Sequence, residues 1–456
     1  MLLPFVLLYL GGTVLIGLLA ARLVHNSGDY VNAGRRIPWL LGSFALFALW
    51  FGAETVFGAS SEFAEHGLIG VIEDPFGGVL CLLLFGLIFT RKLYRMNLVT
   101  LGDLYRNRYG PTVELVASLA MLLTFFGYIA AQLVALGLLL ELVAGVSMVQ
   151  GIVLSTLVVT LYTLAGGMWA ISLTDFVQSI FIVLGLGVLA WQLAQQSGGV
   201  LPVFERTEVG FFRFWPQAGW ENGLHYFAAW ITLGLGSLPS QDIFQRMNAS
   251  RDEKTALRSM YTGALIYGVI ALLPLFIALA TRQLYPELAG NQQLLPRMVL
   301  LHAPRWVQVL FFGALLSAIF STCSGAILAP ASILSENIVK PLFRKPLTDK
   351  QFLLVLRLSV LLMAILGCWM ALARNNIYAL VSESSLLGLV TLLVPMFCAI
   401  YIPQAKTRGA LLAMVAGLVV WFSCAYLVHT QIPALLYGLA ASILGMVVGS
   451  VRWKKK

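Results

Sequence analysis

Apolar runs of about 20 residues recur along this chain from residue 2 to residue 451, and a run of that length is what a helix needs to cross a bilayer. Lipid offers no hydrogen-bond partner to a backbone, so runs of this kind are read as helices that satisfy their own amides. Composition points the same way. Of 456 residues, 59% are hydrophobic and only 11% charged, too little charge to cover a soluble surface. About thirteen spans are expected, near 2–24, 38–64, 76–97, 112–142, 147–166, 174–196, 224–245, 257–281, 306–333, 352–373, 377–401, 408–428 and 431–451. No stretch between them is long enough for a separate core. The chain therefore reads as one all-α transmembrane domain with no catalytic appendage. The first run lacks a basic leader and exceeds the apolar length of a signal peptide, so it is read as a retained first helix. Cys81, Cys323, Cys368, Cys398 and Cys424 all fall in apolar runs and read as packing residues.

The formal charge of +9 is topological. Lys and Arg concentrate in alternate loops, around Arg22, Arg35 and Arg36; Arg91 to Arg108; Arg246 to Arg258; Lys340 to Arg357; Lys406 and Arg408; and Arg452 with Lys454–Lys456. The other loops hold Arg206, Arg213, Arg282, Arg297, Arg305 and Arg374, six of 29 basic residues. The positive-inside rule then places the N-terminus outside and the C-terminus in the cytoplasm, as in a multi-pass protein of the inner (plasma) membrane. Lys454–Lys456 read as a membrane-edge anchor.

An odd number of spans suggests a leading helix, two five-helix repeats and two trailing helices. A unit that crosses an odd number of times must be followed by an inverted copy. The divisions are 1–37 (leading helix and loop), 38–223, 224–405 and 406–456. The first helix of each repeat is expected to be broken and to build the site at mid-membrane. Gly52 and Gly58 flank polar residues in the second span, and Gly234, Gly236 and Pro239 interrupt the seventh.

Three polar features lie where hydrocarbon should be. Ser321-Thr322-Cys323-Ser324 places hydroxyls about 100° apart on one helix. With carbonyls freed by a break they would make an oxygen cage for a hard cation; alternatively they bond back to the preceding turn. Asp175, after Thr174, is either a helix cap or a functional carboxylate. Glu54 adjoins the proposed break, in solute binding or structural bonding; Asp74, before Pro75, reads as a cap; Glu62 and Glu65 read as solvated. Trp50, Tyr128 and Gln132 are candidate pocket liners. No phosphate loop, His pair or activated nucleophile is present, so no enzymatic activity and no nucleotide energy source are expected.

Residues 27–38 (Ser27 through Pro38), 162–178 (Tyr162 through Gln178, with Gly166, Gly167, Thr174 and Asp175) and 318–324 (Ala318 through Ser324) resemble the sodium:solute symporter family over nearly the whole chain. The resemblance implies a LeuT-type five-plus-five inverted repeat with an extra leading helix. It implies a sodium site of the Ala48, Phe51 and Ala318 carbonyls with the Ser321 and Thr322 hydroxyls. Asp175 matches a carboxylate on the sodium exit route, and Ser324 fits a second sodium site where Gly325 replaces an expected Ser. Residues 236–246 look like the choline-transporter branch. Trp50 and Tyr128 match an aromatic cage there, while Ser240 and Gly78 stand where two further aromatics are expected.

The implied activity is sodium-coupled uptake of a small organic solute (an amino acid, a choline-like cation or another zwitterion) by alternating access, with Na+ as the coupling ion. The expected solute residues are Trp50, Glu54, Tyr128, Gln132, Ser240 and Gln241. The partners are the solute and the bilayer, with no nucleic acid and no obligatory protein. A proton-coupled carrier and a non-transporting solute sensor are the alternatives.

Overall fold

The computed structural model describes residues 2–288, 293–374, 376–428 and 430–451. Among them regular structure is helical, apart from an isolated bridge between Ile37 and Ser250. Eight described helices are long and apolar enough to cross a membrane, and shorter apolar helices occur at Leu7–Leu23, Trp39–Trp50 and Ala434–Ser450. Arg452 and Lys454–Lys456 lie outside the described residues.

The two longest of the eight are divided at a glycine with positive φ. Met148–Gln196 has 49 residues, which at about 1.5 Å each far exceeds a hydrocarbon core of about 30 Å. It is divided at Gly167, whose φ is +49°. A Cβ there would lie 2.4 Å from the carbonyl oxygen of Tyr30, so both the dihedral and the close approach exclude a side chain. Glu54–Arg95, with 42 residues, is divided at Gly67, where φ is +71°.

The central element is the Arg305–Ile333 helix. Residues 311–333 are buried without a break, and the most apolar window of the surrounding span is 94% buried. A helix apolar on every side needs neighbours on every side, and helices 111–144, 148–196 and 349–373 pack around it. The leading Leu2–Ala20 helix belongs to the same bundle. Tyr9 donates to Ser317 Oγ at 2.8 Å and accepts from Gln178 Nε2 at 3.0 Å.

Residues 27–35, expected as loop, form the short helices Ser27–Asn32 and Ala33–Arg35. Asn26 caps the first by accepting from the Asp29 amide at 2.8 Å, and Asp29 pairs with Arg36. This segment gathers several basic loops at one end of the bundle. Arg35 donates to Asn248 Oδ1 at 2.6 Å and to the Tyr94 carbonyl at 3.0 Å. Arg95 meets Glu253 at 2.7 Å, and Ser27 donates to Asp349 at 2.6 Å. Gln283, at the far end of the helical stretch that starts at Glu253, instead donates to the Val203 carbonyl at 2.8 Å.

Candidate functional site

The Trp39–Trp50 helix stops because Phe51 leaves helical geometry, with φ −90° and ψ 71°. The chain resumes as helix at Glu54. Carbonyls freed inside a membrane bundle cost several kcal/mol each unless paired, and here side chains pair them. Thr322 Oγ1 donates to the Ala48 carbonyl at 2.9 Å, Tyr128 to that of Leu49 at 3.0 Å, and Thr55 to that of Trp50 at 3.0 Å. Gln132 accepts from the Ala53 amide at 3.0 Å and donates to Glu54 Oε2 at 2.8 Å. Gly52 lies in the middle. A Cβ there would fall 2.8 to 3.0 Å from Glu54, Gln132 and Thr322, so the convergence requires glycine.

Thr322 also bonds back to the Ala318 carbonyl at 3.1 Å. Two expected ion ligands, the Ala48 and Ala318 carbonyls, are therefore within hydrogen-bond reach of a third, the Thr322 hydroxyl. All three are neutral hard oxygens, the donor chemistry sodium takes. Phe51 marks the break itself, its ring against Phe47 (5.2 Å) and Tyr267 (6.5 Å). Ser321 departs from the expected convergence. It donates to Asp175 Oδ1 at 2.5 Å, because consecutive residues on a helix point about 100° apart. Ser324 bonds back to the Ser321 carbonyl at 2.8 Å.

Asp175 is no helix cap. It lies fully buried eight residues past the break at Gly167, paired with Arg246 at 3.5 Å. Thr174 bonds back to the Ala170 carbonyl at 2.8 Å. Nor is Asp74 a cap. It accepts from Thr55 Oγ1 at 2.9 Å and from the Tyr267 hydroxyl, tying three helical segments behind the break.

Beside the break lies a cavity lined among others by Trp50, Glu54, Tyr128 and Ser240. Gln132 stands behind Glu54 rather than in the wall. Gln241 is displaced from its expected role: its Oε1 accepts from the Leu101 amide at 2.8 Å, and the next residue, Asp242, lines the cavity instead. Asp242, Phe125, Ser237, Ser384 and Ser385 also line it and are not among the residues expected from the sequence. A signal existed for the last two, in the polar run Ser382-Glu383-Ser384-Ser385 inside an apolar span. Gly78 replaces an aromatic because Trp50 and Tyr267 fill its place. Their rings lie 6.1 Å apart, and a Cβ on Gly78 would be 2.8 Å from Trp50.

An unwound helix that lends carbonyls to a hydroxyl of the central helix, next to a cavity lined by carboxylates, hydroxyls and aromatic rings, is the arrangement of an ion-coupled carrier. The model of the sodium:solute symporter family matches residues 30–417. The chain belongs to that family.

Among its relatives, high-affinity choline transporter 1 of Caenorhabditis elegans is 27% identical over 86% of this chain and 70% of its own length. The sodium/pantothenate symporter of Haemophilus influenzae is 28% identical over 79% and 77%. The osmoregulated proline transporter OpuE of Bacillus subtilis is 26% identical over 98% and 94%. In fold, the chain is similar to a Na+-coupled sialic acid symporter solved in a substrate-bound outward-open state. That match has a TM-score of 0.85 at 20% identity, covering 98% of this chain and 96% of the other. MhsT in complex with L-phenylalanine matches with a TM-score of 0.56 at 12% identity, covering 91% and 98%. The fold is thus the LeuT-type all-α membrane transporter fold. As a member of the sodium:solute symporter family, the chain is a multi-pass membrane protein that takes up a small organic solute, with sodium as the coupling ion.

Proposed function

We propose that the solute carries a positively charged nitrogen, as an amine or a quaternary ammonium, and enters with one sodium ion by alternating access. One observation carries this reading. Two carboxylates, Glu54 and Asp242, line the cavity, and no Lys or Arg does so among the described residues. Tyr128 has one hydroxyl proton and two acceptors near it, the Leu49 carbonyl at 3.0 Å and Glu54 Oε1 at 3.3 Å. A hydroxyl serves one of them at a time, so Glu54 keeps acceptor capacity for an arriving donor. Trp50, Phe125 and Tyr128 supply ring faces that attract a cation. Similarity to choline transporters supports the same solute class.

Sodium, in this reading, sits among the oxygens of Ala48, Phe51, Ala318 and Thr322 and props the break, which completes the Glu54 side of the cavity. Ion and solute then raise each other's affinity, as linkage requires. The bundle rocks against the rest, and sodium leaves past Asp175. Residues 38–223 and 224–405 act as the inverted repeats, supported by breaks at Phe51 and at Ser237–Ser240 in their first helices. The gathering of basic loops at one end supports a cytoplasmic C-terminus and an outside N-terminus, in an inner (plasma) membrane. The solute is moved without chemical conversion. One charge falling through about 100 mV yields about 2.3 kcal/mol, and a tenfold sodium gradient adds about 1.4 kcal/mol. Together these support accumulation of roughly several-hundredfold per sodium.

The test is thermal stabilisation of the purified chain by choline, betaines, amino acids, sugars and carboxylates, in sodium and in potassium. Stabilisation by cationic or amine-bearing solutes in sodium alone supports the reading. Stabilisation by an anionic carboxylate or a neutral sugar overturns the solute class.

A further inference from the structure

The carboxylate of Asp175 and the guanidinium of Arg246 form an ion pair at 3.5 Å with both side chains at most 2% exposed. Asp175 Oδ1 is occupied by the Ser321 hydroxyl at 2.5 Å. The guanidinium lies flat on the central helix at Gly325, where an added Cβ would fall 2.3 Å from Nη2, 2.7 Å from Nη1 and 2.9 Å from Cζ. Any other residue at 325 would push the cation off its carboxylate.

The neighbouring oxygens are turned inward as well. Ser324 donates to the Ser321 carbonyl at 2.8 Å and Tyr162 to the Phe320 carbonyl at 2.7 Å. A buried carboxylate flanked by hydroxyls and carbonyls is chemically a sodium site. Here its charge is already balanced by a cation belonging to the chain, and a second one would add uncompensated charge in a dry interior.

We propose that Arg246 is a built-in cation at Asp175, which holds this chain to one bound sodium ion and closes a second cation site that the same oxygens would otherwise form. The proposal rests on the sodium-symport reading. It also gives Arg246 a link to the solute. Arg246 lies one helical turn after Asp242 on the short Gln241–Asn248 helix, and Asp242 lines the solute cavity. The helix therefore carries one residue to each site.

The experiment measures binding of radioactive sodium to the full chain in detergent, with sodium as the only ligand. Wild type is expected to bind one ion per chain with no cooperativity. Arg246→Gln is expected to bind two, with a Hill coefficient above one. It should melt lower than wild type in potassium and gain more stability from sodium. Adding Asp175→Asn to Arg246→Gln is expected to return the count to one, locating the second ion at this carboxylate. Arg246→Lys, which keeps the charge, should stay at one. Two ions on the wild-type chain overturn the proposal even if the glutamine variant does not fold. A folded Arg246→Gln that binds only one ion also overturns it. A wild-type chain that binds no sodium overturns the symport reading on which the proposal rests.

Discussion

The hydroxyl of Thr322 donates to the carbonyl of Ala48 across 2.9 Å, joining the central helix to the last turn before the chain unwinds. The two residues are 274 positions apart. Ala48 has a carbonyl to offer because the helix ends at Trp50, and Thr322 supplies a hydroxyl from the buried run Ser321-Thr322-Cys323-Ser324. In the proposed reading, that contact couples the ion site to the shape of the solute cavity.

Gln132 holds the far side of the same break through the Ala53 amide and Glu54. Gln132→Leu removes both bonds in a fully buried place and leaves two orphaned groups. Losing them costs about 1–3 kcal/mol, equivalent to a loss of solute affinity of roughly tenfold to a hundredfold. Sodium-driven uptake in proteoliposomes should show a raised KM while sodium binding alone changes less.

Glu54→Gln keeps the shape of the side chain and removes its charge. A charge-assisted bond contributes about 1.5–3 kcal/mol, so affinity for a cationic solute should fall at least about tenfold. Asp242→Asn should act in the same direction. Solute titrations at saturating sodium read this directly. An unchanged affinity in both variants would remove the carboxylates from the solute site.

Much of this arrangement was legible in the residues, and the losses have a common cause. Breaks were expected where glycine and polar residues interrupt apolar runs, and Phe51–Ala53 and Ser237–Ser240 are those places. The hydroxyl run Ser321-Thr322-Cys323-Ser324 marked the central helix as a site, and only the family resemblance put the Ala48 carbonyl opposite it. The errors are rotational. Sequence shows that Gln241 and Asp242 adjoin a break, but 100° of helix rotation decides which faces the cavity. The same rotation sends Ser321 to Asp175 while Thr322 turns to Ala48. Arg246 was counted with the loop bases because it lies at the end of an apolar run, yet it is only 2% exposed. No one-dimensional pattern separates a cation at the membrane edge from one folded back onto a buried carboxylate 71 residues earlier.

Tyr267 and Thr55 hold Asp74 behind Trp50. Tyr267→Phe leaves a buried carboxylate short of a donor at a cost of about 1–3 kcal/mol. Thermal unfolding in detergent should show a lower midpoint at neutral pH. The Trp50 ring should keep its place, because Tyr267→Phe preserves the 6.1 Å ring contact.

Gly167→Ala tests the division of the longest helical stretch. Its φ of +49° and the 2.4 Å approach to the Tyr30 backbone leave no room for a methyl. Strain of about 1–3 kcal/mol is expected, with a lower yield of folded protein and a lower melting midpoint. Gly187→Ala, in open space on the same stretch, should be close to neutral.

The most direct test of the account is sodium binding to Thr322→Ala and Thr322→Ser, measured on the purified chain with potassium as the control cation. The serine variant is expected to keep sodium-dependent stabilisation, and the alanine variant to lose it while still folding. Sodium stabilisation that persists undiminished in Thr322→Ala would contradict the placement of the coupling ion between the unwound helix and the central one.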